Sequence, residues 1–237
     1  MRPDGRAPNQ IRPVRIIPRY IKHHPGSVLV EMGDTKVLCV ATVQEGLPNW
    51  LVGQGEGWLT AEYALLPGST HERTPRETGW QSGRAREIRR FIGRSLRAAF
   101  DLDKFGQHTI IVDCDVIQAD GGTRTAAVTG GYVAVVLALR ELSQKGLIPP
   151  RGVVKNQIAA VSVGIIQEEP ILDLCYAEDS MAEVDLNVVM TSKGDLVEIQ
   201  GTAEAKTFSR EMLNRMLDLA WEGLKEIFQA QREALRG

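Results

Sequence analysis

Apolar residues in the first half of the chain recur with two different spacings, one typical of strands and one of helices. Two β-branched runs in residues 27–43 meet at Gly33-Asp34, which is the signature of a β-hairpin. Apolar positions three to four residues apart over 84–100 predict a helix with one buried side. In chain order, the other elements predicted here are a strand over 58–66, a polar loop over 67–82, a strand over 108–118 and a helix over 123–142.

The second half of the chain repeats this combination of hairpins and helices. Two further hairpins are predicted, each from a pair of strand-like runs: 158–166 with 171–176, and 185–190 with 196–200. Ser209 is placed to cap a long amphipathic helix. The apolar stripe of that helix consists of Leu213, Met216, Leu217, Ala220, Leu224, Ile227 and Phe228.

Hairpin-rich strands together with separate long helices indicate an α+β fold rather than a regular βαβ series. Each half pairs hairpins with helices that can cover one face of a sheet. The glycine and proline residues that follow the helix over 123–142 favour a boundary between two lobes near 147–153. We therefore predict a single domain over 1–237 that consists of a lobe over 1–146 and a lobe over 154–237.

Composition and charge predict a cytoplasmic protein with no membrane partner. The sequence has no apolar run approaching the roughly 18–20 uncharged residues of a membrane span, and its N-terminus carries no apolar signal core. Cys39, Cys114 and Cys175 lie in apolar runs without Cys-x-x-Cys spacing, as expected of reduced core cysteines. The net charge of −2 gives no bulk attraction to nucleic acid, so any such attraction must be local.

Residues 118–125, Gln-Ala-Asp-Gly-Gly-Thr-Arg-Thr, join a predicted strand to a predicted helix. The Gly121-Gly122 pair permits unusual backbone angles, and the first N–H groups of a helix lack internal partners, so such a turn can bind an oxyanion. The hydroxyl groups of Thr123 and Thr125 and the guanidinium fork of Arg124 can complete a phosphate cradle. The alternative is an ordinary strand-to-helix turn with Asp120 at or near the cap.

Arginine is concentrated in residues 73–97 of a chain whose net charge is negative. A solvated helix face explains part of this density. Arg84 does not fit that explanation, because it precedes Ile88 by one turn on the predicted buried side, where a guanidinium needs an anionic partner. We infer that Arg84 and Arg124 surround one phosphate. The arginines of the stretch are Arg73, Arg76, Arg84, Arg86, Arg89, Arg90, Arg94 and Arg97.

Carboxylates also alternate with apolar residues along one predicted strand. Asp185 and Asn187 share one face of this strand, and Glu198 and Gln200 can extend that face across the following hairpin. Carboxylates near a phosphate site suggest Mg²⁺ binding or proton transfer, whereas the alternative is a solvent-exposed sheet face. A second pair on one strand face, whose role stays open, is Asp113 and Asp115.

Several ordered blocks together resemble one known family. They are Arg2-Pro3-Asp4-Gly5-Arg6, the helix that begins at Arg84, residues 113–125, and residues 178–204. They resemble bacterial ribonuclease PH, a phosphorolytic 3′-to-5′ exoribonuclease that matures tRNA 3′ ends and releases nucleoside diphosphates. The resemblance spans essentially the whole chain and is most specific in residues 118–125. It implies a ribonuclease PH-like α+β fold of two similar lobes, assembled as a homohexameric ring of dimers.

The resemblance also implies roles for particular residues. The phosphate co-substrate should be bound by Arg84, Gly122, Thr123 and Arg124. Catalysis and Mg²⁺ binding should fall to Asp179 and Asp185. RNA binding or ring contacts are expected of Arg73, Arg76, Arg90 and Arg97. One residue departs from the family pattern, because Gly68 stands where a basic residue is expected.

The implied reaction is attack of bound phosphate on the last phosphodiester of tRNA precursors and other RNA 3′ ends. It should be reversible, so that nucleoside diphosphates can also be added to an RNA. Two other functions remain open from the sequence. One is a catalytically silent RNA-binding ring subunit, and the other is hydrolytic cleavage that releases nucleoside monophosphates.

Overall fold

The computed structural model describes residues 2–76, 82–204 and 206–236. The strands are β1 (Val14–Pro18), β2 (Ser27–Met32), β3 (Thr35–Glu45), β4 (Trp58–Leu65), β5 (His108–Gln118), β6 (Ile158–Ile166), β7 (Glu169–Leu172), β8 (Val184–Thr191) and β9 (Leu196–Ala203). The helices are α1 (Gly83–Arg97), α2 (Thr123–Gln144), α3 (Tyr176–Asp179) and α4 (Arg210–Ala234), and a 3-10 turn spans Leu102–Phe105.

The strands form two sheets, and α2 packs against both of them. The first sheet has the order β1-β2-β3-β5-β4, in which only the β4–β5 pair is parallel. The second sheet has the order β7-β6-β8-β9 and is antiparallel throughout. All three predicted hairpins form. This mixture of hairpin-rich sheets and covering helices confirms the predicted α+β fold class.

The ends of α1 and α4 follow from capping residues. Ser82 and Ser209 precede the two helices, and their hydroxyls accept hydrogen bonds from the N–H groups of Ala85 and Met212, both at 3.1 Å. These bonds satisfy amide groups that have no partner inside the helix. Ser209 therefore caps α4 as predicted. Residues 77–81, in the predicted loop over 67–82, lie outside the described part of the chain.

Two details differ from the sequence prediction. The strand predicted over 171–176 ends at Leu172, because Asp173 adopts a left-handed backbone conformation with a φ of 54° and the chain then enters α3. β1 has no counterpart in the prediction, since it is short and ends in Pro18. A proline is tolerated there because β1 is an edge strand, where an N–H group is not required for pairing.

α2 runs through the centre of the core, and every residue from 125 to 139 is buried. Gly130 allows close packing on the first sheet, because a Cβ atom there would lie 2.9 Å from both Cys39 Sγ and Val30 Cγ1. Among the described residues, α2 alone is long and apolar enough to cross a membrane by length and composition. However, 89% of its most apolar window is buried inside the fold, as in the core helix of a globular protein.

Candidate active site

A cleft of about 650 Å³ opens where the N-terminal end of α2 faces the second sheet. Residues from both lobes line it. They include all those predicted from the sequence to bind phosphate or carry catalysis: Arg84, Gly122, Thr123, Arg124, Asp179 and Asp185. The fold therefore brings the predicted phosphate cradle and the predicted carboxylates to one place.

The double-glycine turn forms the floor of this cleft. Gly121 and Gly122 have φ angles of 73° and 64°, which other residues adopt only under strain. A Cβ at Gly121 would also lie 2.4 Å from the carbonyl oxygen of Leu174. Gly122 is the N-cap of α2 and supplies no capping side chain. The first amide groups of α2 are thus available to an anion. Asp120 lies two residues before the N-cap, so it is near the cap but is not the capping residue.

Two side chains that follow the turn are held by residues of other elements. The Thr123 hydroxyl lies 2.8 Å from the hydroxyl of Tyr63, a buried residue of β4. Arg124 Nη1 donates to Glu87 Oε1 at 3.3 Å and to the Gln200 side chain. A guanidinium has five N–H donors, so these bonds orient Arg124 and leave other donors for an anion in the cleft.

Arg84 is exposed, which corrects the prediction that it lies on the buried side of its helix. The buried side of the first turn begins one residue later, at Ala85, and continues through Ile88. Arg84 instead points its charge at the cleft, where it and Arg124 act electrostatically on Asp179 and Asp185. The two arginines do share one site, although not because burial forces Arg84 to find a partner.

Asp185 lies on β8, an inner strand of the second sheet, and is half-buried at the cleft. The neighbouring Asn187 is buried, and its Nδ2 donates to Asp185 Oδ2 at 3.1 Å. Gln200 lies directly opposite Asn187 on β9, so the predicted polar face continues across the hairpin. The alternative of a solvent-exposed sheet face is therefore wrong for Asp185 and Asn187.

Two carboxylates that line the cleft, those of Asp179 and Asp185, have raised pKa values. Burial raises the pKa of Asp185, and the nearby charge of Asp179 raises it further. Burial also raises the pKa of Asp179, although Arg84 and Arg124 partly oppose that effect. A carboxyl group whose pKa is raised in a cleft is suited to hold or transfer a proton. The cleft thus combines anion-binding groups with groups capable of acid–base chemistry.

Two family models together match most of the chain. The first domain of a 3′ exoribonuclease family matches residues 10–141, and the second domain of the same family matches residues 156–223. The chain belongs to the 3′ exoribonuclease family. This ribonuclease PH family consists of phosphorolytic 3′ exoribonucleases, for which inorganic phosphate is the co-substrate.

Solved structures with this 3′ exoribonuclease fold include one from rice and two from archaea. Rrp46 of rice (Oryza sativa) has a TM-score of 0.81 and 20% identity, covering 99% of this chain and 100% of that chain. An archaeal exosome core has a TM-score of 0.77 and 22% identity, covering 97% and 90%. The Archaeoglobus fulgidus exosome with RNA bound to the active site has the same TM-score and identity, covering 96% and 91%. At these identities the likeness concerns the fold.

An N-terminal ion-pair network, missed by the sequence analysis, supports both sides of the site in this member of the 3′ exoribonuclease family. Arg2 binds Glu178 through two hydrogen bonds of 2.6 and 2.8 Å, and both side chains are buried. Burial raises the pKa of Glu178, but the bonds from Arg2 and from the Cys175 N–H outweigh it and leave the pKa lowered. Glu178 precedes Asp179, so this pair fixes the end of α3 that carries a predicted catalytic residue.

Arg12 links the two halves of the cleft directly. Its Nη2 and Nε atoms lie 2.7 and 3.0 Å from the carboxylate oxygens of Asp173, just before α3. The same guanidinium donates to the carbonyl oxygens of Asp120 and Gly121 in the glycine turn. Asp120, Gly121 and Asp173 are all more than 100 residues from Arg12, so no local sequence pattern could reveal this role. The Arg-Pro-Asp-Gly-Arg block was the one signal that the N-terminal segment mattered.

The arginines predicted for RNA binding or ring contacts fall into two groups. Arg73 lines the cleft, and Arg76 is exposed nearby in the chain. Arg90 and Arg97 lie instead along a groove between α1 and β4. Arg97 is engaged within the fold, because it donates to the Leu59 carbonyl at 3.0 Å and lies 4.7 Å from the ring centre of Trp58.

Three other residues singled out in the sequence, Asp113, Asp115 and Gly68, do not line the cleft. Asp113 and Asp115 are half-buried on β5 and do not line the cleft, and burial raises the pKa of both. Gly68 is exposed, and a Cβ there would have no atom within 4 Å. A basic side chain would therefore fit at Gly68, so steric constraint does not explain its absence.

Two of the carboxylates that line the cleft can together hold a metal ion. In the described part of the chain no three histidine, cysteine or acidic side chains form a metal-binding group. Mg²⁺ is commonly held by one or two carboxylates together with substrate phosphates and water. Asp179 and Asp185 fit that donor set, because both line the cleft and the charge of one raises the pKa of the other.

Proposed function

We propose that this chain is a phosphate-dependent 3′-to-5′ exoribonuclease of the bacterial ribonuclease PH type. It removes nucleotides beyond the mature 3′ end of tRNA precursors and releases them as nucleoside diphosphates. One observation carries the proposal. A single cleft joins the glycine turn of residues 121–122 and two arginines, Arg84 and Arg124, to two carboxylates with raised pKa values.

The proposed reaction begins with inorganic phosphate held by the amide groups of the glycine turn, the Thr123 hydroxyl and the two guanidinium groups. A phosphate oxygen attacks the phosphorus of the terminal phosphodiester. The bond from that phosphorus to the 3′ oxygen of the penultimate nucleotide breaks, and a nucleoside 5′-diphosphate is formed. Negative charge develops on the shared oxygens, so positioning and cationic stabilisation provide most of the acceleration.

The leaving 3′ oxygen requires a proton, and we assign its transfer to Asp185. Burial and the charge of Asp179 raise the pKa of this carboxyl group, which favours the protonated form that a donor needs. Asn187 orients it through the 3.1 Å hydrogen bond. When bound, Mg²⁺ would neutralise charge on the reacting phosphates, and Asp179 and Asp185 are the residues that would hold it.

We further propose that the enzyme acts in the cytoplasm as a homohexameric ring of dimers, in which Arg73 and Arg76 lie along the RNA path or at subunit contacts. The silent-subunit alternative requires a cleft without the means for phosphorolysis. The joint presence of Arg84, Arg124, Asp179 and Asp185 favours the active enzyme. Hydrolysis would release nucleoside monophosphates, whereas phosphorolysis releases nucleoside diphosphates, so the product distinguishes the two reactions.

The decisive experiment is to incubate a tRNA with a short 3′ extension, with and without phosphate, and to identify the nucleotide released. The proposal expects nucleoside diphosphates that appear only with phosphate. Nucleoside monophosphates released in phosphate-free buffer would instead establish hydrolysis. RNA binding without nucleotide release would establish the silent subunit.

A further inference from the structure

Tyr176 is an exposed aromatic residue inside the cleft. Its side chain is 53% exposed and lines the cleft together with Arg124 and Asp179. The other strongly exposed aromatic residues in the described part of the chain, Tyr20 and Trp50, lie outside this cleft. Tyr63 also lines the cleft but is buried, and its hydroxyl is bound to Thr123.

The position of Tyr176 is fixed by the same framework that holds the site. Its backbone N–H donates to Asp120 Oδ1 at 3.1 Å, which ties it to the glycine turn. It is the first residue of α3, three positions before Asp179. The Tyr176 ring is therefore carried between the phosphate cradle and the catalytic carboxylate without being packed into the core.

The ring of His71 lies beside that of Tyr176, with ring centres 5.9 Å apart and planes inclined by 49°. A base inserted between two parallel rings needs roughly twice the 3.4 Å spacing of stacked bases. The observed separation and tilt do not provide that space. His71 is therefore placed to support the Tyr176 ring from one side, and the other side of the Tyr176 ring remains open to a ligand.

We propose that the exposed face of Tyr176 stacks on the base of the 3′-terminal nucleotide of RNA, and that His71 positions the ring. This inference rests on the proposed function, which supplies the RNA 3′ end. Tyr176 lines the same cleft as Arg124 and Asp179, so a nucleotide whose reacting phosphate lies at the arginines can place its base against this ring. Stacking on an aromatic ring accepts every base, because each has a π face, and this suits an enzyme that trims tails of any sequence.

The test compares Tyr176→Ala and Tyr176→Phe with the parent in RNA binding without phosphate. Two oligonucleotides are used, identical except that one ends in an abasic nucleotide. We expect Tyr176→Ala to weaken binding of the normal RNA by roughly 5- to 150-fold, the range typical of one lost stacking contact. Tyr176→Phe should bind like the parent, because it keeps the ring. The matched control is Tyr20→Ala, which removes an equally exposed tyrosine outside the cleft.

The abasic RNA decides the interpretation. If the base stacks on Tyr176, the abasic RNA binds the parent and Tyr176→Ala with equal, weakened affinity. Equal weakening of both RNAs by Tyr176→Ala would overturn the proposal, and so would an abasic RNA that binds the parent normally. The result is independent of the reaction type, because nucleotide release is not measured. Loss of the stacking proposal would leave the phosphate requirement of trimming untouched.

Discussion

Replacing Arg12 by methionine should destabilise the fold far more than loss of a surface arginine. Arg12 and Asp173 are 3% and 0% exposed, so the variant leaves a buried carboxylate without its principal partner. Removing one member of a buried ion pair costs about 3–5 kcal/mol, and the lost bonds to the carbonyl oxygens of Asp120 and Gly121 add to that cost. At about 2–4 °C per kcal/mol for a chain of this size, we expect Tm to fall by about 10 °C.

Two further variants test the reason for that loss. Arg15→Met removes an arginine whose side chain is 73% exposed and which lies 3.6 Å from Glu31, and it should cost less than about 1 kcal/mol. Arg12→Met combined with Asp173→Asn removes the orphaned charge, so it should recover part of the stability lost in the single variant. Urea unfolding at fixed protein concentration measures all three. A loss below about 1 kcal/mol for Arg12→Met, or a double variant less stable than the single one, would refute the reasoning.

Three other predictions concern the cleft and the arginines in or near it. Arg124→Ala should raise the KM for phosphate strongly while RNA affinity stays near that of the parent, because the lost guanidinium fork contacts the small anion. Steady-state kinetics with varied phosphate concentration measure this KM, and an unchanged KM would contradict the prediction. Asp185→Asn should lower turnover by about 10²-fold or more and yet raise the free energy of unfolding at pH 7. The raised pKa penalises the charged form in the folded state, so the stability gain should shrink as pH falls to about 4; a gain that is independent of pH would contradict the assignment. Charge reversal of Arg73 and Arg76 should reduce assembly or RNA binding, which sedimentation and salt-dependent binding separate, and a fully active hexamer with normal RNA affinity would exclude both roles.

The parts of the site that could be predicted from the sequence are those in which neighbouring residues determine the geometry. The turn over residues 118–125 is one example, because adjacent glycines at the start of a helix define an anion site without help from distant residues. The cap at Ser209 is another. Alternation along β8 likewise placed Asp185 and Asn187 on one face, although the sequence could not show that another lobe covers that face.

The parts that could not be predicted depend on distant packing. The Arg12–Asp173 pair joins residues 161 positions apart, and neither side chain belongs to a recognisable motif. The exposure of Arg84 depends on how α1 is rotated about its axis at the first turn. A rotation that moves the buried side by one residue is enough to exchange a buried position for an exposed one. The parallel pairing of β4 with β5 could not be predicted either, because the alternation of apolar and polar residues along a strand does not specify which strand pairs with it.

The central claim is that the cleft joins phosphate to the terminal nucleotide, and the most direct measurement is the identity of the released nucleotide. A 3′-extended tRNA should be incubated with ¹⁸O-labelled inorganic phosphate, with Asp185→Asn as a control for contaminating nucleases. The account predicts nucleoside diphosphate whose terminal phosphoryl group carries the label, and little or no product from the variant. Unlabelled nucleoside monophosphate formed at the same rate without phosphate would contradict it.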